Sequence, residues 1–181
     1  MPILTDPELA RRASELEWIL CDVDGVLTDG GLLYDRRGAA NLRFNVRDGL
    51  GMKLAQGAGL KVGILSGRTS GALEKRAAEL RIDALHAGVN DKRAEFESFL
   101  ERFNTVARRV AYIGDDLPDL VVLGQCGLSF APADAAIEVR TVVHRTLDAI
   151  GGHGAVREMV EIILRARGDW DQLFSRYTFD S

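Results

Sequence analysis

Ile19-Leu20-Cys21-Asp22-Val23-Asp24-Gly25-Val26-Leu27-Thr28-Asp29 is an apolar run that ends in two carboxylates, one residue apart, followed by glycine. The run reads as a buried strand. On a strand, residues i and i+2 face the same side, so Asp22 and Asp24 are expected to project together where the strand stops. Two like charges held that close repel unless a cation or a shared proton compensates. Taken alone, the stretch reads equally well as a polar strand end with a turn at Asp24-Gly25. The rest of the chain has to decide.

Working outward, strand-like and helix-like segments alternate. Residues 6–16 are expected to form a lead-in helix, with Asp6 as N-cap and Pro7 at the first helical position. Beyond Asp29, two short apolar runs flank a charged, glycine-bearing turn and predict a β-hairpin insertion over about 31–44. Leu50, Leu54 and Ala58 recur at helical spacing, closed by Gly57 and Gly59. Residues 60–65 form a compact apolar strand ending in Ser66-Gly67-Arg68-Thr69, and Leu73, Ala77 and Leu80 mark the next helix. A short strand at 84–86 precedes the stripe of Phe96, Phe99, Leu100 and Phe103, a helix that Asn90 or Asp91 can cap. Residues 110–113 give another strand, ending in Gly114-Asp115-Asp116-Leu117-Pro118-Asp119. A helix-like stretch, strands at 128–130 and 141–143, and an amphipathic helix carrying Val156, Val160, Ile163 and Leu164 complete the pattern.

This alternation predicts an α/β fold with a doubly wound, mostly parallel sheet, in a single domain over 1–181 whose C-terminal helix and tail occupy about 154–181. The tail carries Trp170, Phe174, Tyr177 and Phe179; it either docks on a neighbouring subunit or is disordered.

Composition narrows the function classes. With 181 residues, 46% hydrophobic and 28% charged, the chain suits a globular domain with one sizeable core. The net charge of -4 gives no reason to expect a nucleic-acid partner. No apolar stretch approaches the ~20 residues that span a bilayer, and the N-terminus does not resemble a signal peptide. Cys21 and Cys126 sit in or beside apolar segments and read as buried thiols. A cytoplasmic enzyme with no membrane partner is the expectation.

In an open α/β sheet, ligands bind beyond the carboxyl ends of the strands. There the sequence puts Asp22 and Asp24 after the first strand, Ser66 after the second, Lys92 after the short third, and Asp115 and Asp116 after the fourth. This ordered set of Asp-x-Asp-Gly, Ser-Gly-Arg, Asn-Asp-Lys and Gly-Asp-Asp-x-x-Asp resembles the haloacid dehalogenase superfamily of phosphatases. The residue types suit the chemistry. A carboxylate can attack phosphorus and split the hydrolysis into two steps, and Mg²⁺ takes oxygen ligands while neutralising charge between two anions. The resemblance implies Asp22 as nucleophile and metal ligand, and Asp24 as general acid and then base, reaching the metal through its carbonyl. It implies Asp115 as a metal ligand, with Asp116 and Asp119 supporting. Ser66 and Lys92 would hold the transferring phosphoryl group.

Many members of that superfamily cover the site with an inserted cap. Here Asp24 and Ser66 are about forty residues apart, and neither that gap nor the one to Lys92 holds a large cap. Longer strings sharpen the match: Asp-Val-Asp-Gly-Val-Leu-Thr-Asp-Gly from Asp22, Phe-Asn-Val-Arg-Asp-Gly from Phe44, and Gly-Gly-His-Gly-Ala-Val-Arg-Glu from Gly151. They resemble the 3-deoxy-D-manno-octulosonate 8-phosphate phosphatases, which act on an eight-carbon sugar acid of lipopolysaccharide. The resemblance implies a Mg²⁺-dependent homotetramer whose neighbouring subunits close the active site. It also implies that Asp24, Asn45, Val46, Arg47, Asp48, Gly49, Lys53, Arg68, Arg76 and Lys92 contact the sugar-acid phosphate. Lys53 stands where the family commonly has arginine, which keeps the charge but loses bidentate carboxylate recognition; His153 likewise replaces a frequent arginine. The rival readings are a phosphatase for a nine-carbon, sialic-acid-type ulosonate 9-phosphate, a non-catalytic assembly domain of the same fold, and, ranked last, a phospho-acceptor receiver domain.

Overall fold

The opening apolar run forms β1, Trp18–Cys21, the centre of a six-stranded sheet. Its side chains alternate between two cores: Ile19 and Cys21 enter one, Trp18 and Leu20 the other. A strand covered on both faces needs apolar residues at every position, which is why it reads as an unbroken run. The computed structural model describes residues 6–38 and 40–178.

In chain order, α1 (Asp6–Ser14) leads into β1, and the hairpin of β2 (Leu33–Tyr34) and β3 (Ala40–Asn41) follows. Then come α2 (Val46–Gly57), β4 (Lys61–Ser66), α3 (Gly71–Leu80), β5 (Ala84–Ala87), α4 (Lys92–Arg102) and β6 (Val110–Ile113). The chain closes with α5 (Leu120–Leu123), β7 (Leu128–Ala131), α6 (Ile137–Val142), β8 (Arg145–Thr146), α7 (Ala155–Arg167) and α8 (Trp170–Ser175). The sheet order is β5-β4-β1-β6-β7-β8, and every pairing is parallel. Helices α1, α2, α3, α7 and α8 contribute to the core on one face; α4, α5 and α6 cover the other. Strand order reverses beside β1, so the loops after β1 and β6 splay apart at one end of the sheet and leave a crevice.

Three expectations need correction. First, β1 stops at Cys21, although the Asp22 amide still donates to the Ile113 carbonyl at 3.0 Å. Residues 23–27 wind into a tight turn, with the Leu27 amide on the Val23 carbonyl at 2.9 Å. Asp22 and Asp24 are therefore brought together by a turn rather than by strand alternation. Second, Thr141 and Val142 end α6 and Val143 caps it instead of the three forming a strand, and the edge strand β8 lies just beyond. Val139 and Val143 are four apart and both buried in the same core, a helical repeat that a three-residue window hides. Third, the tail is not disordered over 170–175: Trp170, Leu173 and Phe174 lie on α8, which packs against α7 with Leu173 buried and leaves Phe174 and Tyr177 exposed; Phe179 lies outside the described residues. No helix among the described residues is long and apolar enough to cross a membrane.

Candidate active site

Asp22 is buried at the end of β1, and Lys92, first residue of α4, reaches its Oδ1 at 2.7 Å. The same ammonium donates to Asp119 Oδ1 at 2.6 Å. Asp119 is itself buried, and the Tyr112 hydroxyl donates to its Oδ1 at 2.6 Å from inside β6. Its second oxygen accepts the backbone amides of Asp115 at 3.1 Å and Asp116 at 3.3 Å. Asp119 thus folds the loop after β6 around one carboxylate and holds Lys92 jointly with Asp22. Asp116 is exposed and caps the following turn through the Leu117 amide. All these groups except Tyr112 line one cleft of about 750 Å³, together with Asp24, Gly67, Arg68 and Asn90.

Asp24 pairs through Oδ2 with Arg68 Nε at 2.7 Å, while its Oδ1 is buried without a hydrogen-bond partner. Ser66 is buried at the end of β4, its Oγ accepting the Arg68 amide at 3.1 Å. Gly25 has φ of +80°, and a Cβ there would overlap the Asp115 carboxylate; only glycine lets this turn pass so close.

The electrostatics identify what the site needs. Carboxylate oxygens of Asp22, Asp115 and Asp119 lie within 4.8 Å of one another, and Lys92 is the cation that touches two of them. Burial pushes Asp115 up to about 7, with Asp22, Asp119 and Asp116 adding repulsion. Burial likewise raises Asp22 to about 6, reinforced by Asp119, even though Lys92 pulls the other way. Lys92 is lifted above its ordinary value because its two carboxylates outweigh its desolvation. One lysine therefore undercompensates the cluster, and a hard divalent cation held by oxygen suits the deficit. Both oxygens of Asp119 already accept hydrogen bonds, so Asp22 and Asp115 are the better ligands.

Known proteins carry the same chemistry. A 3-deoxy-D-manno-octulosonate 8-phosphate phosphatase of Haemophilus influenzae is 42% identical over 160 residues, covering 88% of this chain and 89% of that protein. The chain belongs to the 3-deoxy-D-manno-octulosonate 8-phosphate phosphatase family. A Moraxella catarrhalis structure of that name, in complex with magnesium, phosphate and KDO, superimposes with a TM-score of 0.91 at 32% identity, covering 94% of this chain and 98% of that one. A cobalt-bound form of the Haemophilus influenzae phosphatase gives a TM-score of 0.85 at 42% identity, over 91% and 99% of the two chains. No protein-family model matches the chain.

The structure divides the contacts expected from that family. Asp22, Asp24, Arg68, Lys92, Asp115, Asp116 and Asp119 meet in the cleft; Ser66 does not line it but is buried next to it, accepting the Arg68 amide. Asn45, Val46, Arg47, Asp48, Gly49, Lys53 and Arg76 do not line it. Asn45 caps α2, its Oδ1 accepting the Arg47 amide at 2.9 Å. Asp48 is buried and accepts the Gly154 and Arg157 amides, which makes it a cap for α7. Gly49 is buried under the Arg76 guanidinium, where a Cβ would overlap it. Arg76 also approaches Glu79 and the Asn45 carbonyl, and Lys53 ties α2 to the end of α3 through Gln56 and the Leu80 carbonyl. Val46 and Arg47 face solvent. Tyr112 is the functional neighbour that the sequence did not single out, because an aromatic inside a strand reads as core.

Proposed function

We propose that this chain hydrolyses 3-deoxy-D-manno-octulosonate 8-phosphate to the free sugar acid and phosphate, with Mg²⁺ held by Asp22 and Asp115 and by the Asp24 carbonyl. The observation that carries the reading is a buried carboxylate, Asp22, gripped by Lys92 and within 4.8 Å of the Asp115 carboxylate, in the lining of a cleft of about 750 Å³. Bound there, the metal neutralises the charge that keeps two anions apart. Asp22 attacks phosphorus as the bond to the ester oxygen breaks, and Asp24 gives its proton to the departing oxygen. Water then attacks the aspartyl-phosphate, passes a proton to Asp24, and releases phosphate with Asp22 restored. Lys92 and the Ser66 hydroxyl hold the phosphoryl oxygens, Asp119 and Asp116 fix the loop that carries Asp115, and Arg68 turns from Asp24 to the substrate carboxylate.

One domain carries this chemistry, in a cytoplasmic homotetramer. Both cysteines are buried free thiols, which suits a reducing compartment. Leu32, Leu33 and Tyr34 are exposed on the hairpin, which favours burial against neighbouring subunits. Arg47, exposed at the start of α2, contributes to sugar binding across such a boundary, together with Val46. Phosphate release from a panel of sugar phosphates tests the reading, led by the eight-carbon acid in the presence of Mg²⁺. A strong preference for a nine-carbon 9-phosphate would transfer the assignment to that substrate, and no release from any sugar phosphate would favour the assembly-domain reading.

A further inference from the structure

The glycine-rich loop at 151–154 meets the turn that carries Gly25 of the cleft lining, and its first two glycines meet that turn through bare backbone. Gly151 is buried with its Cα against the Gly25 carbonyl, so that a Cβ at 151 would overlap it. The Gly152 amide donates to the Val26 carbonyl at 2.9 Å, and a Cβ at 152 would strike the backbone of Thr28 and Asp29. On its other side, Gly25 lies against the Asp115 carboxylate without room for a side chain. Gly25 is therefore sandwiched between a metal-site carboxylate and the 151–154 loop.

Side chains from three directions hold that loop in place. Asp134 Oδ1 accepts the Gly151 amide at 2.9 Å, and Asn45 Nδ2 donates to the Gly152 carbonyl at 3.3 Å. Asp48 accepts the Gly154 amide at 3.2 Å and the Arg157 amide at 2.9 Å. Just upstream, Glu158 accepts the Asp148 and Ala149 amides at 3.0 and 2.8 Å. A loop whose one side chain, His153, reaches only back to the Gly151 carbonyl at 2.8 Å is thus fixed by partners that lie outside the reacting groups.

We propose that the 151–154 loop, clamped by Asn45, Asp48 and Asp134, is a positioning element that sets how far the peptide joining Asp24 to Gly25 stands from Asp115. This rests on the assignment of Asp22, Asp24 and Asp115 to the metal site. It gives Asn45 and Asp48 a task compatible with their inward hydrogen bonds. Relaxing the clamp lets the Gly25 turn drift from Asp115, which opens the metal site and displaces Asp24 from the leaving oxygen; misplacements on the order of 1 Å cost ~10²-fold in such geometry.

Gly151→Ala is the direct test, because Gly151, unlike Gly152 and Gly154, lacks a positive φ, so the added methyl acts mainly through the Gly25 contact. Mg²⁺ affinity of the otherwise unliganded protein, by calorimetry, is expected to fall roughly 10-fold or more, and kcat/KM on the eight-carbon acid phosphate by about 10²-fold, with the circular-dichroism spectrum retained. Asp134→Ala, a milder change at an exposed residue, is expected to shift both quantities a few-fold in the same direction, and Asp134→Asn, which keeps an acceptor oxygen, to restore them. Wild-type Mg²⁺ affinity in both Gly151→Ala and Asp134→Ala would overturn the proposal, as would a defect in Asp134→Ala that Asp134→Asn does not repair. Should Gly151→Ala not fold, the Asp134 pair decides alone. Failure of the substrate assignment shows separately, as wild-type protein that binds Mg²⁺ but does not release phosphate from that substrate.

Discussion

Asp119 accepts hydrogen bonds from the Lys92 ammonium, the Tyr112 hydroxyl and two backbone amides, so one carboxylate organises the lysine and the loop around it. Its neighbours divide sharply in what their loss should do. Asp22→Asn replaces the attacking carboxylate with a near-isosteric amide of no comparable nucleophilicity, and phosphate release should fall by ~10³-fold or more while the melting temperature holds or rises, since a destabilised buried charge is removed. Turnover comparable to wild type would exclude Asp22 as nucleophile. Tyr112→Phe removes one hydrogen bond to a buried carboxylate, a contact worth about 1.5–3 kcal/mol. The expected result is an approximately 10-fold lower kcat/KM, with the loss shared by orthovanadate affinity because Lys92 is left less firmly held; unchanged vanadate binding would confine Tyr112 to packing. At this scale the sequence was informative where polarity stood out. Asp22, Asp24, Lys92 and Asp115 are charged residues at strand ends, where a core has no use for them. Tyr112 carried no such signal, because its hydroxyl acquires meaning only once Asp119 is known to curl back over β6.

Elements were legible to the extent that their apolar period was long. β1, β4, β6, α4 and α7 follow from runs or stripes that tertiary packing reinforces, whereas the two-residue β8 and six-residue α6 and α8 carry too few residues to show a period. The start of α2 carries a second signal. Family resemblance marks the string Asn45-Val46-Arg47-Asp48-Gly49 for substrate contact, and within it Asp48 shares its helical face with Met52 and Ala55, all three buried. That spacing was available in the sequence and pointed inward. Asp48 therefore serves α7, whose own N-cap residue, Gly154, has no side chain to offer. Asp48→Ala should cost about 2 kcal/mol of unfolding free energy, since it strips acceptors from helix amides and leaves them buried. Urea unfolding with an unchanged m-value would report this directly. A variant as stable as wild type would mean that water or a neighbouring group replaces the carboxylate, and that α7 does not depend on it.

Across the whole molecule, the active site works against the stability of the metal-free fold. Asp22 is raised to about 6 and Asp115 to about 7 from ordinary carboxyl values near 3.8, burial being the first cause of each. A carboxyl group raised on folding favours the protonated native state. Its stabilising contribution is complete below pH ~4 and is lost as pH climbs through about 6 to 7. His144 has the opposite sign, because burial first and the Arg12 charge second lower it to about 4, so it destabilises the fold only as pH falls below its ordinary value. Between pH 6 and 8 the carboxylates dominate. Metal-free protein should melt a few degrees lower at pH 8 than at pH 6, roughly 2–4 °C for each kcal/mol lost. Asp115→Asn should flatten that slope, since the amide cannot ionise. Mg²⁺ at ~100 times its dissociation constant should add about 2.7 kcal/mol at pH 8, and less at pH 6, where protons compete for the same oxygens. A melting temperature that rises with pH in excess EDTA, or a slope unaltered by Asp115→Asn, would mean that the carboxylate cluster is compensated from within the chain and does not require the cation.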